Sequence, residues 1–353
     1  MAQVEVTIIG AGAIGGVTGA LLTQAGHAVT LVERERAHVD AINASGLRIS
    51  GAHGDFTVRM RAVTPDQLTG EPPLRFVCLA VKAQHTAEAL EPAAQRLAPD
   101  GFVISLQNGF NEEVIAERIG ADRTVGCFLH FGADYQEPGH ILLAYDYPFF
   151  IGELDGHYRP RLSEIKSVLD AAMPTVITNN LWGYFWGKMG YAALAFGIAL
   201  TDQPSHEVLS HRELRPALRA VVREVASVGR AEGRFIEMIG DMDTGMFLDD
   251  SPAGRARIDR FWDDQVERGR RSKSLKMFTG IQRDLMVRKR KTEVDAHMGA
   301  VMDHARRAGI ATPVLAQVVD MIHEVENGKR QLALENVREL NTRCAAHLGA
   351  ASD

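Results

Sequence analysis

The stretch FWGKMG, residues 185–190, sets a lysine inside a run that is otherwise aromatic, aliphatic or glycine, and Lys188 is the only charged residue between Asp170 and Asp202. Enclosing an ammonium is costly unless a partner pairs with it or a reaction uses it. A desolvated lysine suits one kind of chemistry well: it brings a cation and a proton to an oxygen on which negative charge develops, as when hydride reaches a ketone. Burial lowers its pKa towards neutrality while a nearby carboxylate holds it up, so such a pair stays protonated yet acidic enough to donate. The plainer alternative is a lysine at a helix end reaching for water.

A second constellation opens the chain. Gly10, Ala11, Gly12, Ala13, Ile14 and Gly15 spell GxGxxG directly after the apolar run VEVTIIG and ahead of a helical pattern. In such a turn the first glycine permits the tight bend, the second lets backbone approach a pyrophosphate, and the third packs helix on strand. The helix N-terminus adds amide donors and a favourable dipole. The next β-type run, HAVTLVER, ends in Glu33 and Arg34. A carboxylate there accepts hydrogen bonds from the adenosine ribose of NAD, whereas an arginine grips the extra phosphate of NADP, so the two pull in opposite directions. Lys82, closing FVCLAVK, adds a cation at the carboxyl edge of the expected sheet.

These residues need elements to carry them. Up to about residue 180 the sequence alternates β-type and helical runs, with a hairpin turning at GAHGD. Alternation of this kind predicts a mostly parallel sheet with helices on both faces, an α/β dinucleotide-binding domain of the Rossmann type over residues 1–180. From Leu181 the β pattern stops, and residues 181–353 read as an all-helical domain for substrate binding and dimerisation. Residues 240–273 are polar enough to include a loop.

Composition narrows the class. With 353 residues, 46% hydrophobic and 24% charged, the chain can bury two cores, and its net charge of -6 offers no global attraction to nucleic acid or an anionic membrane. Cys78, Cys127 and Cys344 are widely spaced, which fits a reducing compartment and no thiolate metal site. Without a basic leader or an uninterrupted apolar span, a cytoplasmic protein with no membrane segment is expected.

Several of these pieces together make the chain resemble the ketopantoate reductase (2-dehydropantoate 2-reductase) family over nearly its whole length. They are GAGAIGG, VER with Arg34, LAVKA with Lys82, LQNG with Asn108, FWGK with Lys188, TEVD with Glu293, and RAGIATP. The resemblance implies a dinucleotide domain followed by a helical one, and NADP-dependent reduction of a small 2-oxo acid to the alcohol, as in pantothenate biosynthesis. By it, Gly10 to Gly15, Arg34, Lys82, Asn108, Gly132 and Glu293 hold NADPH, with NADH kept open by Glu33. Lys188 and Glu293 are the catalytic pair, and Asn108 and Lys188 also meet the substrate.

This sequence departs from the family where the substrate is gripped. The helix bearing the lysine presents asparagines one and two turns later in the family, and here those positions are Ala192 and Phe196. Near the family's serine stand Thr279 or Gly280. Apolar surface in place of polar grips predicts a substrate with a larger apolar side chain than ketopantoate. Two further readings stay open: a dehydrogenase of another 2-hydroxy acid or an imine-forming substrate, and a dinucleotide sensor without catalysis.

Other features weigh less. Residues 255–291 hold 13 Lys or Arg against 5 Asp or Glu, a solvated stretch or a means of attracting anions rather than a nucleic-acid patch, since aromatic residues are sparse there. Glu293, His297 and His304 share a helical face that could in principle hold a metal, but none is expected because no third nearby shell is visible. His130 and His140 read as structural. The apolar face of ALRAVVREVASVG, and the family's habit of self-association, predict a homodimer.

Overall fold

The computed structural model describes residues 2–70, 73–271 and 278–350, with the side chains of 69–70 and 345–350 left aside. Two compact units result, Met1–Leu181 and Trp182–Asp353.

The first unit is built on an eight-stranded sheet. Its strands are β1 (Glu5–Ile9), β2 (Ala28–Val32), β5 (Arg61–Val63), β6 (Leu74–Leu79), β7 (Leu97–Ser105), β8 (Thr124–Phe128), β11 (Phe149–Glu153) and β12 (Thr175–Ile177), in the order β12-β11-β8-β7-β6-β1-β2-β5. All neighbours run parallel except β8 and β11. Strands such as RFVCL are apolar at nearly every position because both faces are covered, which removes the alternation of a half-exposed strand. A second sheet stands apart, ordered β4-β3-β10-β9 from β3 (Leu47–Gly51), β4 (Phe56–Val58), β9 (Gly132–Glu137) and β10 (His140–Tyr145). The hairpin expected at GAHGD is the β3–β4 pair, but it belongs to this smaller sheet, where β3 pairs in parallel with β10. The helices are α1 (Ala13–Gln24), α2 (Arg36–Ser45), α3 (Thr86–Ala94), α4 (Asn111–Ile119) and α5 (Arg161–Leu169).

The second unit is helical: α6 (Leu181–Ala199), which starts on the last residue of the first unit, then α7 (Ser205–Ser210), α8 (Arg215–Ala231), α9 (Pro252–Arg271), α10 (Gly280–Met286), α11 (Ala300–Ala308), α12 (Pro313–Glu326) and α13 (Leu334–Ala350). No described helix is long and apolar enough to cross a membrane. The polar stretch expected to include a loop is mostly α9, whose Ile258, Trp262 and Val266 recur every fourth residue and are buried. Its arginines meet acids, Arg257 with Asp243, Arg268 with Asp241 and Arg271 with Glu267, so much of the basic stretch is a charge-paired helix face; residues 272–277 lie outside the described set. The face of α8 on which self-association was expected is also corrected. Ala217, Leu218, Val221, Val222, Val225 and Ala226 are buried against α11, α12 and α13 of the same chain, and cannot at once cover a second copy. The three cysteines are buried.

Candidate active site

In the first unit the chemistry-bearing residues collect at the carboxyl ends of four neighbouring strands. Backbone hydrogen bonds continue the ladder one residue beyond them: Gly10 N to Val32 O, Ala80 N to Ile9 O, and Leu106 N to Leu79 O, each 2.8 Å. The GxGxxG turn, Glu33 with Arg34, Lys82 and Asn108 are thereby set along one sheet edge, the place where ligands bind in doubly wound folds.

Each glycine of the turn has a separate reason. Gly10 has φ +98°, and a Cβ there would meet Val81 N at 2.8 Å; at Gly15 a Cβ would sit 1.9 Å from Gly10 O. Gly12 faces open space, with nothing within 4 Å of an added Cβ, and it is the N-cap of α1 with no side chain capping that end. An uncapped helix N-terminus beneath an open glycine suits a phosphate. Glu33 is not aimed freely outward. Its Oε2 accepts from Ala11 N at 3.0 Å and its Oε1 from Glu35 N at 3.1 Å. Arg34 is exposed, and its Nη2 lies 3.4 Å from His85 Nε2, while Lys82 is half-buried.

Asn108 stands on the turn after β7. Asn111 Nδ2 donates to its carbonyl at 2.7 Å; Thr86 Oγ1 donates to Asn111 Oδ1 at 2.9 Å; Gln107 Nε2 bonds Thr86 Oγ1 at 2.8 Å and Val81 O at 2.9 Å. This network fixes the backbone and leaves Asn108 Oδ1 buried without a hydrogen-bond partner among the described residues, an acceptor suited to an N–H or O–H from a ligand. Gly132, at the start of β9, has the Tyr145 ring packed over it, 2.3 Å from an added Cβ, so a side chain there would collide with β10.

In the second unit Lys188 is half-buried rather than sealed in core. Along α6 the less buried positions are Trp182, Tyr184, Lys188, Tyr191, Ala192 and Ala195, and from Tyr184 onward they follow Lys188 in steps of three and four on one side of the helix. Ala192 therefore shares the lysine's stripe. Phe196 does not: it is 0% exposed, with its ring 6.1 Å from that of His297, so it is core and forms no substrate wall. Opposite this stripe the helix is smooth. A Cβ on Gly187 would lie 2.3 Å from Glu237 O and one on Gly190 2.2 Å from Thr244 Cγ2, and Thr244 Oγ1 donates to Gly187 O at 3.0 Å. Residues 237–244 thus brace the lysine's helix.

Glu293 precedes a π turn at Asp295–Gly299, a distortion often found at functional sites. Its flanks are anchored on α12: Thr292 donates from N and Oγ1 to Glu326 Oε1, both at 2.7 Å, and His323 Nε2 is 2.9 Å from Asp295 Oδ1. The metal-like spacing of Glu293, His297 and His304 dissolves in this geometry, since His304 pairs with Glu232 at 2.5 Å and packs edge-on to Trp186. Among the described residues no three His, Cys, Asp or Glu side chains are grouped to hold a metal ion. Thr279 caps α10: its Oγ1 accepts from Gln282 N and its own N donates to Gln282 Oε1, both at 3.1 Å. Gly280 follows it, exposed. His130 lies among Phe128, Tyr145 and Tyr147, and His140 bonds Ser50 Oγ at 2.8 Å. Sequence reasoning passed over His38 and Glu112, both in the first unit and both buried.

Comparison with known proteins follows the same division. The family model described as ketopantoate reductase PanE/ApbA matches residues 6–156, and the one for its C-terminal part matches residues 180–326. The 2-dehydropantoate 2-reductase of Pyrococcus horikoshii is 35% identical over 186 residues, 52% of this chain and 59% of that protein. The protein of the same name from Mesorhizobium japonicum is 25% identical over 358 residues, 94% of this chain and 98% of the relative. Among solved structures, a ternary complex of D-mandelate dehydrogenase with NADH and anilino(oxo)acetate aligns with a TM-score of 0.77 over 92% of this chain and 99% of its own, at 20% identity, a likeness of fold.

Proposed function

Because the chain belongs to the ketopantoate reductase family of oxidoreductases, we propose that it reduces a small 2-oxo acid with a nicotinamide dinucleotide, preferring NADPH. The turn from Gly10 to Gly15 receives the pyrophosphate on the open backbone at Gly12 and the N-terminus of α1. Arg34 and Lys82 meet the phosphate at the adenosine end. Glu33 opposes this less than its sequence position suggests, because two backbone amides already share its carboxylate charge. Asn108 offers its buried Oδ1 to the nicotinamide or the substrate. When bound, the reduced nicotinamide supplies hydride to the carbonyl carbon. Lys188 answers the change at the carbonyl oxygen, its ammonium offsetting the growing negative charge and passing a proton from Nζ as the alcohol forms. Glu293 helps hold the cofactor and keeps the lysine protonated.

The substrate grip is the part most changed from ketopantoate. The helix surface around Lys188 offers Tyr184, Tyr191, Ala192 and Ala195, mostly apolar and aromatic surface with no amide to bond a substrate hydroxyl, so a 2-oxo acid with a larger apolar side chain is favoured. The half-buried Lys188 in an otherwise uncharged helix is the observation on which the reading rests. It is tested by comparing ketopantoate with 2-oxo acids bearing branched and aryl side chains, and then measuring Lys188→Ala on the best of them. The expected outcome is a single-turnover hydride-transfer rate lower by roughly 10² to 10⁴ with cofactor affinity within a few fold. Lys188→Arg rescues little, since a guanidinium holds its proton. Full-rate transfer in folded Lys188→Ala, or no 2-oxo acid reduced by the unmodified protein, would refute the reading.

A further inference from the structure

We infer that His38, a residue outside the expected set, positions the dinucleotide turn by clamping Ala11 together with Glu33; the inference rests on the cofactor reading above. His38 lies in α2 and is 1% exposed. Its Nε2 is 2.9 Å from Ala11 O, and Gly139 N donates to its Nδ1 at 2.9 Å. A backbone N–H can only donate and a carbonyl can only accept, so Nδ1 carries no proton and Nε2 carries one. The ring is thus held in a single neutral tautomer, with both nitrogens used in opposite senses. It spans from the GxGxxG turn to the turn between β9 and β10, and the Tyr135 ring packs edge-on against it at 5.0 Å.

Ala11 is gripped from the other side as well, because its N–H donates to Glu33 Oε2 at 3.0 Å. Both backbone polar groups of this 0% exposed residue therefore end on side chains from one neighbouring segment, β2 and α2. The grip falls where the chain is least stiff. Ala11 stands between Gly10 and Gly12, and glycines lose the most conformational freedom when a turn is ordered. A turn already held in shape when the ligand arrives spares part of the ordering cost of binding. This also gives the small second sheet a task, since Gly139 and Tyr135 steady the ring that steadies the turn.

The test uses three substitutions in the full-length protein, with affinity read by titrating reduced cofactor fluorescence. His38→Gln keeps an amide N–H that can reach Ala11 O. His38→Asn keeps an oxygen near the place of Nδ1 to receive Gly139 N–H but loses the donor to Ala11. His38→Ala loses both. A clamp predicts a dissociation constant within about three-fold of the unmodified protein for Gln and at least about ten-fold weaker for Asn and Ala, the scale of one lost hydrogen bond. The KM for cofactor rises in parallel while kcat at saturating cofactor stays put. Should Ala fail to fold, the Gln and Asn pair decides alone. Equal affinities across the variants, with only melting temperature lowered, would mean that His38 merely stabilises the fold. A protein that binds neither NADPH nor NADH before any substitution overturns the cofactor reading itself, and with it the clamp.

Discussion

At the first turn of α4, Glu112 is completely enclosed, and burial pushes its carboxyl up to about 8 from an ordinary value near 4.5, against a smaller pull downward from its own backbone amide and the Ser105 hydroxyl. The folded chain thus keeps a proton that the unfolded chain releases. Between about pH 4.5 and pH 8 the folded state binds more protons, so stability falls as pH rises through that window and levels off above it. Glu112→Gln should remove most of this slope, with a gain of a few kcal/mol, on the order of two to four, at pH 8. Denaturant melts at several pH values on both proteins check it, and superimposable profiles would show that Glu112 carries no such cost. A residual slope of the same sign is expected from Glu224, where burial raises the carboxyl to about 7 despite hydrogen bonds from Val314 and Leu315 amides. Residues of this kind were illegible in the sequence. The GxGxxG turn could be read because its chemistry lies in spacing, and Lys188 because it interrupts an apolar run. Glu112 and His38 matter through what tertiary packing closes around them, and nothing local in NEEVIAERI or RAHVDAIN announces that.

Among the elements, α6 is where sequence and structure most usefully differ. Its length and apolar character could be read directly, but which face is which could not, because a helix apolar all round gives no amphipathic contrast. Packing reveals a glycine side braced by Thr244 and a Tyr184, Lys188, Ala192 stripe, and it moves Phe196 from the site into the core. The contact at Gly190 gives a test with a definite sign. Replacing a helical glycine by alanine ordinarily stabilises by about 1 kcal/mol, yet here the methyl meets Thr244, so Gly190→Ala should instead destabilise by roughly 1–3 kcal/mol through overpacking. Adding Thr244→Ala should recover part of that loss, which a double-mutant cycle measures. A Gly190→Ala protein as stable as its parent would mean that the segment simply moves aside. That four strands leave the main sheet to form a second one escaped the reading, since β3 finds its partner β10 some ninety residues away and local pattern does not encode such pairing.

For the whole molecule, ligand binding and stability are linked, and that gives the cofactor preference a thermodynamic readout. A ligand that binds only the folded chain stabilises it by about 2.7 kcal/mol at a hundred times its dissociation constant. At equal concentrations NADPH should raise the melting temperature more than NADH, and Arg34→Ala should bring the two together; identical shifts in the unmodified protein would end the case for NADPH. The sheet order has a separate consequence, for self-templating. The eight-stranded sheet ends on one side in β12 and on the other in β5, each of three residues, and the smaller sheet ends in β4, also three residues, and in β9, which carries Asp134 and Glu137. An intruding strand finds at three of these borders too few residues to hold it in register, and at the fourth a row broken by carboxylates. Folding has therefore left the richest β-forming segments of the chain, FVCL and FVIS among them, paired on both sides, so that fibrous growth would first have to pull the sheet apart.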